Sequence, residues 1–289
     1  MAQQDRVAVI AAGDIADCRT SGAEHTAGLL DDLDGVILAL GDLAYDRGSA
    51  EEFHRCYGPT WGRHKARTRP APGNHEYETP QAAGYFAYWG ARAGKAGQGF
   101  YSFDLGAWHI VALNSNIAAA PGSAQELWLR RDLAATGARC ILAFWHHPVF
   151  SSGPHGDIPT MRALVRRLHE AGASVVLAGH DHLYERFAPQ DPDGRLDARG
   201  GIRAFTVGTG GARLYHFRQA RPNSEFRYRG SWGLLRLALE PDGYAWEFLA
   251  VDGRRIDAGR AACVARNAGH GEDARGRDPD ALALTRRTH

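Results

Sequence analysis

The chain has 289 residues, 44% of them apolar and 23% charged, and its 34 Lys and Arg against 33 Asp and Glu leave a formal net charge of +1. That composition fills a buried core and excludes a wholly disordered chain, and the near-zero charge gives no global reason to expect nucleic acid or an anionic membrane as partner. No apolar run approaches the roughly 18 residues of a spanning helix, so no membrane segment is read.

Taken in chain order, MAQQDRVAVIAAGD has too short an apolar run for a secretory leader and passes directly into a first strand ending at Asp14. A cytoplasmic protein is therefore expected, unless a leader was removed before this numbering begins. VILALGD reads as a second strand ending at Asp42. FYSFDLGAWHIVALNS alternates around a turn and reads as a hairpin. SAQELWLRRDLAAT reads as a helix with Ser123 as N-cap, and TMRALVRRLHEAG as a helix closing on Gly172. CILAFWHHP and VVLAGHDH are short continuous apolar runs suited to strands covered on both faces. FTVGTGGARLY is a strand and glycine-rich turn without the GKS ending of a nucleotide loop, and GLLRLALEPDGYAWEFLAV is a second hairpin turning at Pro241-Asp242-Gly243. Helices alternating with buried strands, together with hairpins, predict a layered α/β sandwich containing a mixed sheet. The chain reads as one domain over residues 1–264 and a flexible, charge- and glycine-rich tail over 265–289, with a short helix at DALALTRR.

The four cysteines, Cys18, Cys56, Cys140 and Cys263, form no CxxC pair, which argues against a zinc ribbon. Cys140 lies in an apolar strand and is expected to be a packed thiol. A Cys18–Cys56 bridge stays open.

Polar residues able to bind metal follow the strand-like runs: Asp14, Asp42, Asn74, His75, His146, His147, His180, Asp181 and His182. In an open α/β sheet the carboxyl ends of the strands face one crevice, so these residues are expected to converge. Asp14 and Asp42 are separated by about the length of a βαβ unit, which puts them on neighbouring strand ends. Each motif alone is weak, because a GD after a strand is usually a turn and a GNH usually a loop. The information lies in their order and shared position.

GDIA, GDLAY, GNHE, FWHHP and GHDH resemble the five ordered blocks of the calcineurin-like metallophosphoesterases. The resemblance implies a four-layer αββα sandwich with two mixed sheets flanked by helices, built around a dinuclear metal centre. Most members carry DxH in the first block, whereas Ala16 stands at that position here. The purple acid phosphatase branch also lacks this histidine and supplies a tyrosine from GDxxY, which Tyr45 matches. The resemblance assigns Asp14, Asp42, Tyr45 and His182 to a first metal, with Asp42 bridging to a second completed by Asn74, His146 and His180. A phenol with a reference pKa near 10 ionises readily only beside a strongly charged hard cation, which favours Fe(III) with Fe(II), Mn(II) or Zn(II).

By the same resemblance, metal-bound hydroxide attacks the phosphorus of a small phosphate monoester while His75 and His155 contact substrate and protonate the leaving group. The family often has two adjacent histidines at the latter place, but Gly156 follows His155. Glu76, His147 and Asp181 are expected behind the ligands, with His147 pointing to the opposite face if its backbone stays extended. Glu185 and Arg186 read as a salt-bridged scaffold. Phosphodiester cleavage, or binding without turnover, are the alternatives.

Overall fold

The computed structural model describes residues 6–265, so all of the expected tail beyond Ala265, including DALALTRR, lies outside the described residues. Strands β1 (Val7–Ala12), β2 (Val36–Leu40) and β3 (Thr68–Ala71) open the chain, and β4 (Tyr101–Leu105), β5 (Trp108–Ala112), β6 (Cys140–Phe144) and β7 (Val175–Ala178) follow. β8 (Tyr184–Phe187), β9 (Arg203–Val207) and β10 (Ser224–Tyr228) precede the closing meander β11 (Gly233–Leu239), β12 (Gly243–Ala250) and β13 (Arg255–Ala262). They form two mixed sheets, ordered β13-β12-β11-β1-β2-β3 and β10-β8-β9-β7-β6-β5-β4. β1, β2 and β3 pair in parallel, as do β5, β6, β7 and β9. The antiparallel strands lie toward the sheet margins, where hairpins need no crossover.

The expected αββα layering is present. Between the sheets, Phe205 packs edge-on to Trp246, Tyr184 stacks on Phe248, and Trp108 meets Tyr244, so β5, β8 and β9 of one sheet face β12 of the other. Outside the second sheet, Leu129 and Leu133 of helix Ala124–Ala135 and Leu164, Val165 and Leu168 of helix Arg162–Glu170 cover Val111, Ile141, Ala143 and Val176. Ser123 caps the former helix by accepting from Glu126 N, as read from the sequence. Helix Gly22–Asp31 covers the first sheet, where Trp61 Nε1 donates to Thr26 Oγ1 at 2.9 Å and Arg67 gathers the Leu30, Leu33 and Gly35 carbonyls behind the helix end.

Of the elements that the sequence pattern did not reveal, two edge strands have a plain physical reason. β3 is TRPA, with a proline in the ladder, which a strand tolerates here because β3 is the edge of its sheet. β13 reads RIDAGRAA, without an apolar face, because it is the opposite edge.

Cys140 is not the packed thiol expected from its strand. It is bonded to Cys263, 123 residues away, with the Cα atoms 5.7 Å apart. Cys263 lies just beyond β13, so the bridge ties an edge of the first sheet to β6 of the second. Cys18 and Cys56 form a second bridge across 38 residues, beside the loop that carries Asp14. Cross-links closing loops of this size restrict the unfolded chain by about 3–5 kcal/mol in the entropic treatment. Among the described residues no helix is long and apolar enough to cross a membrane.

Candidate metal centre

The C-terminal ends of β1, β2, β3, β6 and β7 each deliver donors into one crevice. Hydrogen bonds carry the β1–β2 pairing past the strand ends, with Asp14 N to Gly41 O at 3.0 Å, Ile15 N to Asp42 O at 2.9 Å and Tyr45 N to Ala16 O at 3.0 Å. Ala16 is thus held in a backbone bridge with Ala44 and is buried, and the second-block loop reaches over it with Tyr45. Asp14, Asp42 and His180 take positive φ angles of 60°, 52° and 72°, a left-handed conformation costing roughly 1–3 kcal/mol each for residues with a side chain. Three strained residues in one crevice mark a geometry that the surrounding fold maintains. Gly73 and Gly208 show how close that packing is: a Cβ on Gly73 would stand 2.1 Å from Asp42 Oδ1, and one on Gly208 would stand 2.8 Å from Asp14 Oδ2.

The donors fall into two sets sharing Asp42. Tyr45 OH lies 3.1 Å from Asp14 Oδ1, 3.3 Å from Asp42 Oδ2 and 3.2 Å from His182 Nε2. His146 Nε2 lies 3.1 Å from Asp42 Oδ2, 3.1 Å from Asn74 Oδ1 and 3.2 Å from His180 Nδ1. Each centre has three close polar neighbours, more than the single proton of a phenol or of an imidazole nitrogen can serve as donor. A cation can satisfy both. Metal–ligand bonds of about 2.1 Å give neighbouring donors roughly 3.0–3.4 Å apart, so the spacing of each set is that of a coordination polyhedron.

The rings are oriented from behind. His146 Nδ1 donates to Leu40 O and His182 Nδ1 to Arg213 O, both at 2.8 Å, which turns each Nε2 lone pair into the crevice. Burial and then the Asp14 and Asp42 carboxylates push the Tyr45 phenol well above its usual range. Burial opposes ionisation of Asp42, but the His146 imidazolium outweighs it and holds the carboxyl below the ordinary range. Burial likewise opposes the charged His146, yet Asp42 raises it to about 9. Burial, and then the neighbouring His146, push His180 down. Without a cation the site balances its own charge through an Asp42–His146 pair and a protonated Tyr45, and a cation bound there would displace protons from both.

The sequence model of the family described as calcineurin-like phosphoesterase matches residues 3–184, well over half of the chain. The chain belongs to this family. Purple acid phosphatase 21 of Arabidopsis thaliana is 32% identical over 234 residues, covering 71% of this chain and 51% of that protein. Purple acid phosphatase 22 of the same plant is 31% identical over 229 residues, again 71% and 51%. These likenesses place the chain on the purple acid phosphatase-like branch. The chain spans about half the length of the curated relatives it matches. The same fold occurs in a purple acid phosphatase from yellow lupin (Lupinus luteus) seeds, at TM-score 0.75 and 18% identity over 90% of this chain and 54% of that one. It occurs also in Plasmodium GAP50, described as the anchor in the inner membrane complex, at TM-score 0.72 and 14% identity over 91% of both chains.

Behind these donors, Glu76 does more than orient one of them. Its fully buried carboxyl accepts N–H from Gly73 at 2.7 Å, Asp42 at 3.0 Å and Leu43 at 2.8 Å, clamping the GDLAY loop to the GNHE loop. Burial and then the Asp42 charge raise it to about 7. Asp181 is buried and accepts from Ser151 Oγ and from His155 Nδ1 at 2.8 Å, so it holds His155. Arg186 is salt-bridged scaffold as read, pairing with Asp257 at 2.8 Å, whereas Glu185 is held by hydrogen bonds instead, accepting from Ser152 N at 2.8 Å.

His147 corrects the sequence reading. β6 ends at Phe144 and the backbone bends at His146, so alternation no longer applies and His147 does not point to the opposite face. Its ring centroid lies 4.9 Å from that of His146 and 4.5 Å from that of His180, and Ser115 Oγ lies 2.7 Å from its Nδ1. Burial and then His146 push it down to about 3, which keeps it neutral.

Sequence reasoning missed Tyr215. Its ring stacks on His182 with centroids 3.9 Å apart and lies 5.5 Å from His155. The only available signal was its place eight residues after Val207, at the end of the glycine-rich turn that was singled out for other reasons.

Proposed function

We propose that this chain hydrolyses small phosphate monoesters at a dinuclear metal centre held by Asp14, Asp42, Tyr45, Asn74, His146, His180 and His182. The observation that carries the reading is the pair of four-donor sets meeting at Asp42 Oδ2, with His75 Nε2 3.8 Å from that atom and the His155 ring 4.2 Å from that of His180. Two bound cations would polarise the phosphoryl oxygens and activate a water for in-line attack.

The chain's own groups then divide the remaining work. His75 Nδ1 donates to Asp46 O at 2.5 Å, and its Nε2 lies 3.8 Å from Asp42 Oδ2, facing the place where a phosphoryl oxygen would sit. His155 is held by Asp181 through Nδ1, while its side chain is 41% exposed, leaving Nε2 able to give a proton to a departing alkoxide.

Ferric iron paired with Fe(II), Mn(II) or Zn(II) fits best. Burial and two carboxylates oppose ionisation of Tyr45, so only a strongly polarising cation makes it a phenolate. The two disulfides favour an oxidising compartment over the cytoplasm expected from the N-terminal residues.

Purified protein loaded with defined metals is expected to release 4-nitrophenolate faster from 4-nitrophenyl phosphate than from its bis ester. A markedly faster diester reaction replaces the monoester reading with a phosphodiesterase. His155→Ala is expected to slow alkyl phosphates by about 10²–10⁴-fold and aryl phosphates with good leaving groups much less, since only the former need the proton. Equal slowing across a leaving-group series removes the acid role.

A further inference from the structure

The parallel strand β5 ends in polar residues that the proposed mechanism does not use. It runs on into Leu113-Asn114-Ser115-Asn116, a turn fixed on every side. Leu113 N donates to Phe144 O at 2.9 Å, and the backbone N–H of the fully buried Asn114 donates to Gln125 Oε1 at 2.7 Å. Asn114 Nδ2 donates to Tyr77 OH at 2.7 Å and to Gln98 O at 2.8 Å, and Asn116 Nδ2 to Pro72 O at 3.1 Å, on the loop that carries Asn74. Ser115 is thereby held against the bend at His146 and His147.

Its effect on His147 follows from counting protons. Ser115 Oγ accepts the His147 backbone N–H at 3.1 Å and lies 2.7 Å from His147 Nδ1. The hydroxyl has one proton, and Nδ1 is its one acceptor among the described residues, so Ser115 donates to Nδ1 and the ring proton is assigned to Nε2. The opposite tautomer would point two N–H donors at one oxygen and leave the hydroxyl proton unplaced. Trp145 Nε1 fixes the backbone by donating to His147 O at 2.7 Å. The ring stands at the second donor set, with its centroid 4.5 Å from that of His180 and 4.9 Å from that of His146. A ring nitrogen of each of these three histidines lies within 4.8 Å of the other two. His147 is only half-buried, and its Nε2 has no hydrogen-bond partner among the described residues.

We propose that His147 is a further catalytic residue, donating from Nε2–H to a non-bridging oxygen of the phosphoryl group on the side of the second donor set. The proposal rests on the phosphatase reading for what occupies the crevice. No proton is transferred in this role. The ring keeps its Nε2–H while negative charge builds on the phosphoryl oxygens during in-line attack, which is when a donor already in place contributes most. Two competing roles use the same ring: ligation of a cation through Nε2, which needs the opposite tautomer, and packing against His180 alone.

Three substitutions separate these roles. Glutamine sets an NH2 group near the place of Nε2, asparagine sets one near that of Nδ1, and phenylalanine keeps a ring without either nitrogen. Wild type, His147→Gln, His147→Asn, His147→Phe and Ser115→Ala, each loaded with Fe(III) and Zn(II), are to be compared by metal content, by kinetics on 4-nitrophenyl phosphate, and by calorimetric titration of orthophosphate and of orthovanadate, which takes up the five-coordinate shape of the transition state. The expected result is unchanged metal content throughout and a kcat about 10²-fold lower in His147→Asn and His147→Phe, with KM changed much less. Orthovanadate affinity should fall at least about tenfold further than orthophosphate affinity in the same two variants. His147→Gln should stay within about tenfold of wild-type kcat, and Ser115→Ala, which frees the tautomer, should fall between. Loss of metal in His147→Asn makes the ring a ligand and overturns the donor role. Equal losses in all three His147 variants, or wild-type behaviour of His147→Asn, overturn it as well. Glutamine and asparagine keep the test decisive should phenylalanine disturb the packing on His180. If wild-type protein turns over no phosphate ester, the phosphatase reading fails, and the orthovanadate preference of wild type over His147→Asn, present or absent, still decides the donor.

Discussion

Asp42→Asn is expected to lower phosphatase turnover by more than about a thousandfold, corresponding to more than about 4 kcal/mol of lost transition-state stabilisation. Asp42 Oδ2 is the one donor atom common to both sets, 3.3 Å from Tyr45 OH and 3.1 Å from His146 Nε2. Asparagine keeps the shape but removes the negative charge and sets an NH2 group against one neighbour, which repels a cation instead of binding it. The same carboxylate accepts His75 N–H through Oδ1 at 2.9 Å, a bond that the asparagine Oδ1 retains. Metal content measured by mass spectrometry should drop below two ions per chain. A variant retaining both ions and activity within tenfold of wild type would remove Asp42 from its shared position.

Tyr45→Phe carries the second large effect and has a readout independent of turnover. Iron-loaded wild-type protein is expected to show a visible charge-transfer band from phenolate to ferric iron, and the variant to lose it. Activity should fall by at least about a hundredfold, more than the usual 10–100-fold effect of removing a group behind a metal ligand. The reasoning is electrostatic. Phenylalanine leaves Asp14 and Asp42 at their places but withdraws one anionic oxygen from the cation, and Ala16, buried in its bridge with Ala44, has no donor to replace it. The ring itself packs 4.5 Å from His75, so phenylalanine conserves the packing and isolates the oxygen's contribution. An unchanged absorption spectrum would show that the phenol never binds iron, and the ferric assignment would fall with it.

Much of this site could be read from local pattern because its donors occupy strand ends. An apolar run followed by GD, GNH, HHP or GHDH states both that a strand stops and that a polar side chain stands at its carboxyl end, and each statement needs only a few neighbouring residues. Asp14, Asp42, Asn74, His146, His180 and His182 were accessible in this way and Tyr45 only through the family resemblance of GDLAY, and the structure brings all seven together. Helix Ala124–Ala135 and its Ser123 cap were accessible for the same reason, as were the two hairpins.

What required the folded chain is whatever depends on partners distant in sequence. The direction of His147 turns on a bend at the end of β6 that no alternation rule contains. The Cys140–Cys263 bond joins an interior strand to the far edge of the other sheet, and no spacing rule connects residues so far apart. β3 and β13 are strands because neighbours supply their ladders, although proline in one and the lack of an apolar face in the other argue locally against pairing. Tyr215 on His182 comes from a segment whose course is set by backbone bonds to two separate loops. Short-range chemistry thus names the donors, because a turn at a strand end is a local event. Their grouping into two sets, and what stands over them, are settled only when packing brings five strand ends and the 213–223 segment to the same crevice.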